Sequence, residues 1–389
     1  MRHFNHPLAT SSWDSKEIEA MHRVIDEGFF TMGKYVASFE SNFAKYIGSK
    51  YAVMVNSGSS ANLLMIAAMF YTKEPLLKKG DEVIVPAVSW STTYFPLYQY
   101  GLKLRFVDIN INTLNYDIDK LHGSITKDTK LIMAVNLLGN PNEFDKIKKI
   151  STSRNITLVE DNCESMGSEF ESKKTGTFGL MGSFSSFFSH HISTMEGGLV
   201  VTDNEEIYQI LLSLRAHGWT RNLPERNLLC KKNSSNSFEE SFRFILPGYN
   251  LRPLEISGAI GNEQLKKLPA IISERRKNAQ YFKLKMGDHS ELMIQEEVGA
   301  SSWFGFSLVI RPESNWNRSK LLEKLNQVGF ECRPIVGGNF VKNDVIKYFD
   351  YKIHGSLDAS NYIDMNGLFI GNHHYPIEEA IDNLTEINI

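Results

Sequence analysis

Two adjacent histidines, His190 and His191, stand in the polar middle of the segment SFSSFFSHHISTMEGGLV (183–200). A Glu-Gly-Gly turn at 196–198 follows them, and the apolar run after it is typical of a strand. An imidazole titrates near neutral pH, with a usual pKa of about 6.5, so a histidine in a pocket can accept and return a proton. The residue types therefore indicate acid–base chemistry at this turn.

An aspartate and a glycine–serine pair suggest what such a histidine would act on. ITLVEDN (156–162) places Asp161 at the end of a buried apolar strand, where its carboxylate can pair with a protonated pyridine nitrogen or simply cap a turn. Gly58 and Ser59 stand directly before an apolar helix. Free N–H groups at a helix start bind phosphate, although serine and glycine also cap helices.

Three further side chains follow other apolar runs. Trp90, in PAVSWSTTY, could stack on a planar ring, but a lone tryptophan is more often part of a core or an interface. Ser185 precedes His190 by five residues and could add a hydroxyl to a phosphate site. Asn250, in PGYNLRP, could reach a site from a neighbouring subunit.

Strand-like and helix-like segments alternate through the first two thirds of the chain. KEIEAMHRVIDEG (16–28) and SSANLLMIAAMF (59–70) have helical patterns. Strands are predicted at DEVIVPAV (81–88), KLRFVDI (103–109), KLIMAVNLLG (130–139), ITLVEDN (156–162) and GGLVVT (197–202). This alternation predicts an α/β fold with a mostly parallel sheet, and ligands in such folds bind beyond the carboxyl ends of the strands.

The pattern changes after residue 222. RNLPERNLLCKKNSSNSFEES is polar and without periodicity, which predicts a long surface loop. A helical stretch over 257–286 then leads to a smaller α/β region. We expect a large cofactor-binding domain over 1–255, and a bridging helix with a small C-terminal domain over 256–389.

Composition excludes several functional classes. The 389 residues are 42% hydrophobic and 22% charged with a net charge of −3, so there is no electrostatic signal for nucleic acid. The N-terminus has no apolar signal region, and the longest apolar run, 63–70, is too short to span a membrane, so a cytoplasmic location is expected. The three cysteines are scattered, which argues against a disulfide framework or a metal site.

Taken together, these motifs resemble the sugar aminotransferases of the DegT/DnrJ/EryC1/StrS family, over essentially the whole chain. The resemblance is carried by 31–64, GDEVIVPAVSWSTT (80–93), LVEDNCESMGS (158–168), 183–198 and GYNLRPLEISGAIG (248–261). It implies a fold-type I, aspartate-aminotransferase-like fold and a pyridoxal 5'-phosphate cofactor. The implied cofactor-binding residues are Gly58, Ser59, Trp90, Asp161, Glu164, Ser185 and Asn250, the last entering the neighbouring site of a homodimer.

The chain departs from the family at one position. The lysine that holds the cofactor covalently, six residues before the turn glutamate, falls on His190. Lys173 and Lys174 lie nearby but precede Ser185, so they do not match that lysine. The remaining readings are a pocket that has lost catalysis and a histidine that works as an acid and base. We favour the second, with pyridoxal or pyridoxamine phosphate bound noncovalently and His191 either packing in the core or supporting the site from behind.

A histidine at this position resembles the family's sugar 3-dehydratases, which make 3,6-dideoxysugars. One branch carries an iron–sulfur cluster and needs a reductase, and three scattered cysteines do not fit it. The other branch acts on GDP-4-keto-6-deoxy-D-mannose in colitose and O-antigen synthesis, regains its amine from L-glutamate and releases ammonia. The resemblance to it is close. Substrate-binding candidates are His217, Arg221, Arg252 and Arg333. Another nucleotide-linked ketosugar, or a non-catalytic cofactor-binding homologue, is the alternative.

Overall fold

A computed structural model describes residues 4–232 and 236–387 of the chain. Its strands are β1 (Tyr51–Val55), β2 (Glu82–Pro86), β3 (Lys103–Val107), β4 (Thr129–Val135), β5 (Thr157–Asp161), β6 (Glu169–Phe170), β7 (Lys173–Lys174), β8 (Gly182–Ser185), β9 (Gly198–Thr202), β10 (Arg226–Asn227), β11 (Lys231–Lys232), β12 (Leu292–Met293), β13 (Gly305–Ile310), β14 (Cys332–Arg333), β15 (Tyr351–Ile353) and β16 (Gly367–Gly371).

Helices separate most of these strands. They are α1 (Ser15–Glu27), α2 (Lys34–Ile47), α3 (Gly58–Ala68), α4 (Ser91–Gln99), α5 (Ile118–Ser124), α6 (Phe144–Arg154), α7 (Glu205–Arg215), α8 (Ser237–Glu240), α9 (Glu255–Met286), α10 (Arg318–Gln327), α11 (Asp358–Asn366) and α12 (Glu378–Thr385). Three short 3-10 helices lie at Leu137–Gly139, Phe340–Lys342 and Asp344–Tyr348.

The central sheet has eight strands in the order β1-β9-β8-β5-β4-β2-β3-β15. β9 pairs antiparallel with both β1 and β8, and the pairings from β8 through to β15 are parallel. β2, β4, β5 and β9 are buried almost throughout, as expected for strands covered on both faces. The prediction of an α/β fold with a mostly parallel sheet is confirmed.

A second sheet lies in the C-terminal region, with strands in the antiparallel order β12-β13-β16-β14. One element of that region joins the large sheet instead: Tyr351, in β15, pairs with Leu104 of β3. The predicted domain boundary between residues 255 and 256 stays a prediction. The backbone hydrogen bonds of β15 to β3 link the C-terminal region to the large sheet.

The long helix α9 begins where the predicted bridging helix was expected and packs against α1 and α2. Gly258 and Gly261 allow this approach: a Cβ atom on Gly258 would lie 2.6 Å from the backbone nitrogen of Val36, and one on Gly261 would lie 2.8 Å from the ring of Phe39. The predicted surface loop after 222 contains the short hairpin β10–β11 and the single turn α8. Residues 233–235 of that prediction lie outside the described part.

Two properties of the described residues concern membrane insertion and metal binding. None of the helices in 4–232 and 236–387 is both long and apolar enough to cross a membrane. Over the same ranges, no group of three or more histidine, cysteine, aspartate or glutamate side chains is placed to hold a metal ion.

Candidate active site

An anion cradle forms where β1 passes into α3. The Ser57 hydroxyl caps the helix by accepting a hydrogen bond from the Ser60 N–H at 3.1 Å. The first N–H groups of a helix have no partner within it, so those of Gly58 and Ser59 are free to bind an anion. A Cβ atom on Gly58 would lie 2.6 Å from the Ser185 Cβ and 2.9 Å from its Oγ. The structure thus brings together the three predicted phosphate residues.

Asp161 ends β5 beside this cradle and is 5% exposed. Its Oδ2 accepts hydrogen bonds from the Asn62 amide at 2.8 Å and the Thr93 hydroxyl at 2.7 Å. The Ser183 hydroxyl donates to Asn62 in turn, at 2.6 Å. These bonds fix one carboxylate oxygen and stabilise its charge. A single network therefore links the carboxylate to α3, α4 and β8.

Glu164 follows Asp161 by one turn and is partly exposed. Its Oε2 accepts a hydrogen bond from the backbone N–H of Leu138 at 3.0 Å. Desolvation raises the pKa of Glu164 to about 7, and the nearby charge of Asp161 acts in the same direction. The two carboxyl groups therefore differ in their surroundings: Asp161 accepts hydrogen bonds from side chains on α3 and α4, whereas burial raises the pKa of Glu164 to about 7.

His190 lies in the loop between β8 and β9, partly exposed, with its backbone N–H donating to the Phe187 carbonyl at 2.9 Å. Its imidazole packs against the Phe304 ring, with centroids 5.1 Å apart, and its buried Nδ1 has no hydrogen-bond partner among the described residues. Desolvation, followed by the charge of Arg275, lowers the pKa of His190 to about 4. The side chain is therefore a neutral imidazole at physiological pH.

His191 has a different environment and is buried. Its Nε2 donates to the Ser302 carbonyl at 3.1 Å, because a carbonyl oxygen only accepts, and its ring also packs near Phe304. Burial and the Arg275 charge lower its pKa well below the usual value. This position matches the expected packing role.

Trp90 caps the start of α4 and is 58% exposed. The helix it begins carries Thr93, which binds Asp161, and Thr92, whose hydroxyl accepts from Ser59 at 3.0 Å. Trp90 is thus within one helical turn, along α4, of the residues that contact Ser59 and Asp161. Its ring is exposed, and the stacking role stays a prediction.

The other predicted residues fall into two places. His217, Arg221 and Arg252 gather round Trp219: the His217 ring is 5.1 Å from it, and the guanidinium groups lie 4.2 and 5.6 Å from its ring centroid. Exposed Asn250 joins this cluster because its side-chain oxygen accepts from Arg252 at 2.9 Å. Arg333 is exposed on β14 in a 3.1 Å ion pair with Glu331.

The family model of the DegT/DnrJ/EryC1/StrS aminotransferases matches residues 11–382. The chain belongs to this family. Among its relatives, the chain is 63% identical over 384 residues to GDP-4-keto-6-deoxy-D-mannose 3-dehydratase of Escherichia coli O55:H7, covering 98% of this chain and 99% of the relative. It is 61% identical over 384 residues to the Yersinia pseudotuberculosis enzyme of the same name, covering 98% of each.

Solved structures of family members agree with this. The E. coli 3-dehydratase with bound hydrated pyridoxal phosphate superposes with a TM-score of 0.98 at 63% identity, covering 99% of both chains. A 3-dehydratase with a trapped PLP–glutamate geminal diamine and a histidine-to-asparagine variant with bound GDP-perosamine each give 0.97 at 63% identity, covering 98% of this chain and 99% of theirs.

Residues that sequence reasoning missed also shape the family's pocket here. Asn62 and Thr93 hold Asp161, Phe304 packs on both histidines, and buried Arg275 acts on them electrostatically. Asn62 and Thr93 lie within quoted motifs, so their polarity on otherwise buried helices was an available signal. Phe304 and Arg275 lie far from His190 along the chain, and no local pattern marks them.

Proposed function

We propose that the chain is a pyridoxal/pyridoxamine-phosphate-dependent 3-dehydratase that removes the C3 hydroxyl of GDP-4-keto-6-deoxy-D-mannose, with L-glutamate as amine donor and ammonia and 2-oxoglutarate as co-products. The product class, 3-deoxy-4-ketosugars, suits the synthesis of colitose for O-antigen. The observation that carries this proposal is His190: a neutral imidazole, whose buried Nδ1 has no hydrogen-bond partner among the described residues, stands where the family's amine-bearing residue is expected.

The pocket fits such a cofactor. The helix start at Gly58 and Ser59, with the Ser185 hydroxyl, would hold the phosphate, and the absence of a Cβ atom on Gly58 lets the helix start lie against Ser185. The donor-supported carboxylate of Asp161 would pair with the pyridinium nitrogen, and Trp90 would cover the ring. When bound, the cofactor supplies an electron sink and an amine for the sugar ketone. Histidine has no amine to bond it, so retention depends on these contacts.

His190 then works as the proton carrier. As a neutral base it accepts a proton released beside the ketone, and as the resulting acid it protonates the departing C3 hydroxyl. A lysine would instead return the proton to carbon and complete an amination. The side chain thus accounts for loss of a hydroxyl as the outcome.

The arginine cluster round Trp219 would bind anionic parts of the substrates, because guanidinium groups bind carboxylates and phosphates in bidentate fashion. Arg221 and Arg252 carry no carboxylate ion pair within the described chain, whereas Arg333 is paired with Glu331. We therefore assign the anion-binding role first to the Trp219 cluster. Arg333 remains a candidate, but it would have to leave Glu331 to bind a substrate anion.

We also propose a homodimer in which Asn250 enters the neighbouring site. Support comes from exposed apolar surface: Phe29, Phe30 and Leu254 are each more than half exposed, and the Thr31–Leu254 bridge brings their segments together. Patches of this kind mark interaction surfaces. Exposed Asn250 lies on the chain just before Leu254.

The function is tested with His190→Asn, supplied directly with pyridoxamine phosphate so that glutamate is not required. We expect bound cofactor but no 3-deoxysugar, since Asp161, Trp90 and Ser185 are unchanged. His191→Asn is the matched control, because an amide can still donate to the Ser302 carbonyl and dehydration should persist. Dehydration by His190→Asn at the wild-type rate would assign the proton transfers elsewhere.

The shared site is tested by mixing two inactive variants, Asn250→Ala and His190→Asn, after reversible subunit exchange. If Asn250 acts on the partner's site, each mixed dimer regains one intact site, and an equal mixture recovers about a quarter of wild-type activity. If Asn250 acts within its own subunit, the mixture stays inactive. That result would show that Asn250 does not act in the site of the neighbouring subunit.

A further inference from the structure

Arg275 is a buried cation without a counter-ion. It lies on α9, is 6% exposed, and forms no ion pair with a carboxylate of the described chain. Its Nη1 donates to the carbonyls of Trp303 and Phe304 at 3.3 and 3.0 Å, whereas its Nε has no partner there. Burying a charge without a counter-ion costs free energy. A residue that only donated hydrogen bonds to two carbonyls would not need to carry a charge.

The two carbonyls belong to the segment that forms the wall behind the histidines. Phe304 packs its ring against His190 and, with centroids 5.8 Å apart, against His191. The Ser302 carbonyl accepts the hydrogen bond from His191. The guanidinium group therefore fixes the backbone on which the aromatic contact to His190 depends.

The same guanidinium acts on the histidines through its charge. Arg275 disfavours protonation of both His190 and His191, although burial is the larger cause for each. Besides burial, the charges of His190 and Arg276 also lower the pKa of His191, and the Arg275 charge lowers the pKa of His373 and His374 as well. Arg276 donates to the carbonyls of Ser301, Ala300 and Gly167, so it holds the same segment from outside.

We propose that Arg275 is a positioning residue for His190: it holds the Phe304 ring against the imidazole, and its unneutralised charge keeps that imidazole a proton acceptor between turnovers. This inference rests on the proposed role of His190 in dehydration. Two properties of one side chain are involved, the placement of its donor Nη1 against two backbone carbonyls and its charge, and different substitutions separate them.

Arg275→Met removes both properties, and Arg275→Lys retains the charge while moving the donor away from the position of Nη1. His190 is followed by NMR in the holoenzyme labelled with 13C-histidine, its signal identified by loss in His190→Asn. We expect wild-type His190 to stay neutral through the acid range in which the protein is folded. In Arg275→Met its titration should move to higher pH by on the order of one unit, and the acid limb of kcat/KM should move with it.

Arg275→Lys should leave that titration in place and lower kcat by about tenfold, because Phe304 is held less firmly. Arg276→Met is the control: it loosens the same segment, but the His190 titration should stay where it is. If Arg275→Met does not fold, Arg275→Gln provides the second neutral variant.

Two outcomes would overturn the proposal. An unmoved His190 titration in a folded neutral variant would leave Arg275 a structural residue only. A large rise in the glutamate KM with an unmoved titration would make it a carboxylate-binding residue instead. The NMR titration does not depend on the sugar substrate, so absence of dehydration by the wild-type protein would count against the proposed function and leave the Arg275–His190 electrostatic result readable.

Discussion

Replacing Gly58 by alanine tests the phosphate cradle more directly than removing a polar group. The added methyl would lie 2.6 Å from the Ser185 Cβ, 2.9 Å from its Oγ and 3.1 Å from the Cys163 Sγ. Carbon atoms in contact prefer about 3.5–4.0 Å. The Ser185 Cβ is fixed to its backbone and cannot rotate away, so the start of α3 must withdraw from β8 by about 1 Å.

The cost has two parts. Overpacking of a well-filled site destabilises a protein by about 1–3 kcal/mol. Moving the Gly58 and Ser59 N–H groups away from Ser185 also weakens hydrogen bonds to a charged group, which contribute about 1.5–3 kcal/mol each. If each of two such bonds loses about half of its free energy, the cofactor Kd rises roughly tenfold to hundredfold.

The assay is a titration of the apoprotein with pyridoxal phosphate, followed by absorbance, alongside thermal unfolding of the apoprotein. Gly123→Ala is the matched control, since Gly123 is also helical and its methyl would meet only the movable His354 side chain, 3.2 Å away. The control should bind cofactor normally. Wild-type cofactor affinity in folded Gly58→Ala would refute the placement of the phosphate at the start of α3.

Three further predictions concern the same pocket. Borohydride treatment of the loaded protein should leave the polypeptide unmodified, because His190 has no amine; a reduced cofactor–lysine adduct in mass spectrometry would contradict this. Asp161→Asn should retain the bonds from Asn62 and Thr93 but lose the charge, so cofactor stays bound while the single-turnover rate falls about a hundredfold; an unchanged rate would argue against pairing with the pyridinium. The pKa of Glu164 is raised from 4.5 to about 7, so the folded apoprotein holds a proton that the unfolded chain releases, and its stability falls as pH rises through that window. Glu164→Gln should remove this fall, and a stability difference from wild type that is equal at pH 5 and pH 8 would disprove the raised pKa.

The strands of the central sheet were predictable because each is a short apolar run bounded by polar residues. β2, β3 and β5 fall within the predicted segments, β4 begins one residue before its segment, and β5 ends at Asp161 itself. The reversed direction of β9 was not predicted. Direction depends on whether a connection is a crossover, and the His190 loop between β8 and β9 contains no helix to make one.

The site was predictable where a motif carried it and hidden where contacts join distant segments. His190 follows from its spacing to the turn glutamate, but its low pKa does not, because burial and Arg275 cause it. The usual imidazole value expected from sequence is therefore corrected downward. The ion pair between Arg333 and Glu331 could not be predicted either, because the order of charged residues in a sequence does not fix where their side chains lie.

The strand β15 has a consequence for synthesis of the chain on the ribosome. β3 pairs with β2 early, but its other edge is covered only by Tyr351–Ile353, about 250 residues later. Until that segment emerges, the nascent protein displays an unpaired parallel edge, the kind of surface that recruits strands from other chains. Polypeptides released before residue 351 would therefore aggregate through β3, even with every residue of the cofactor pocket present.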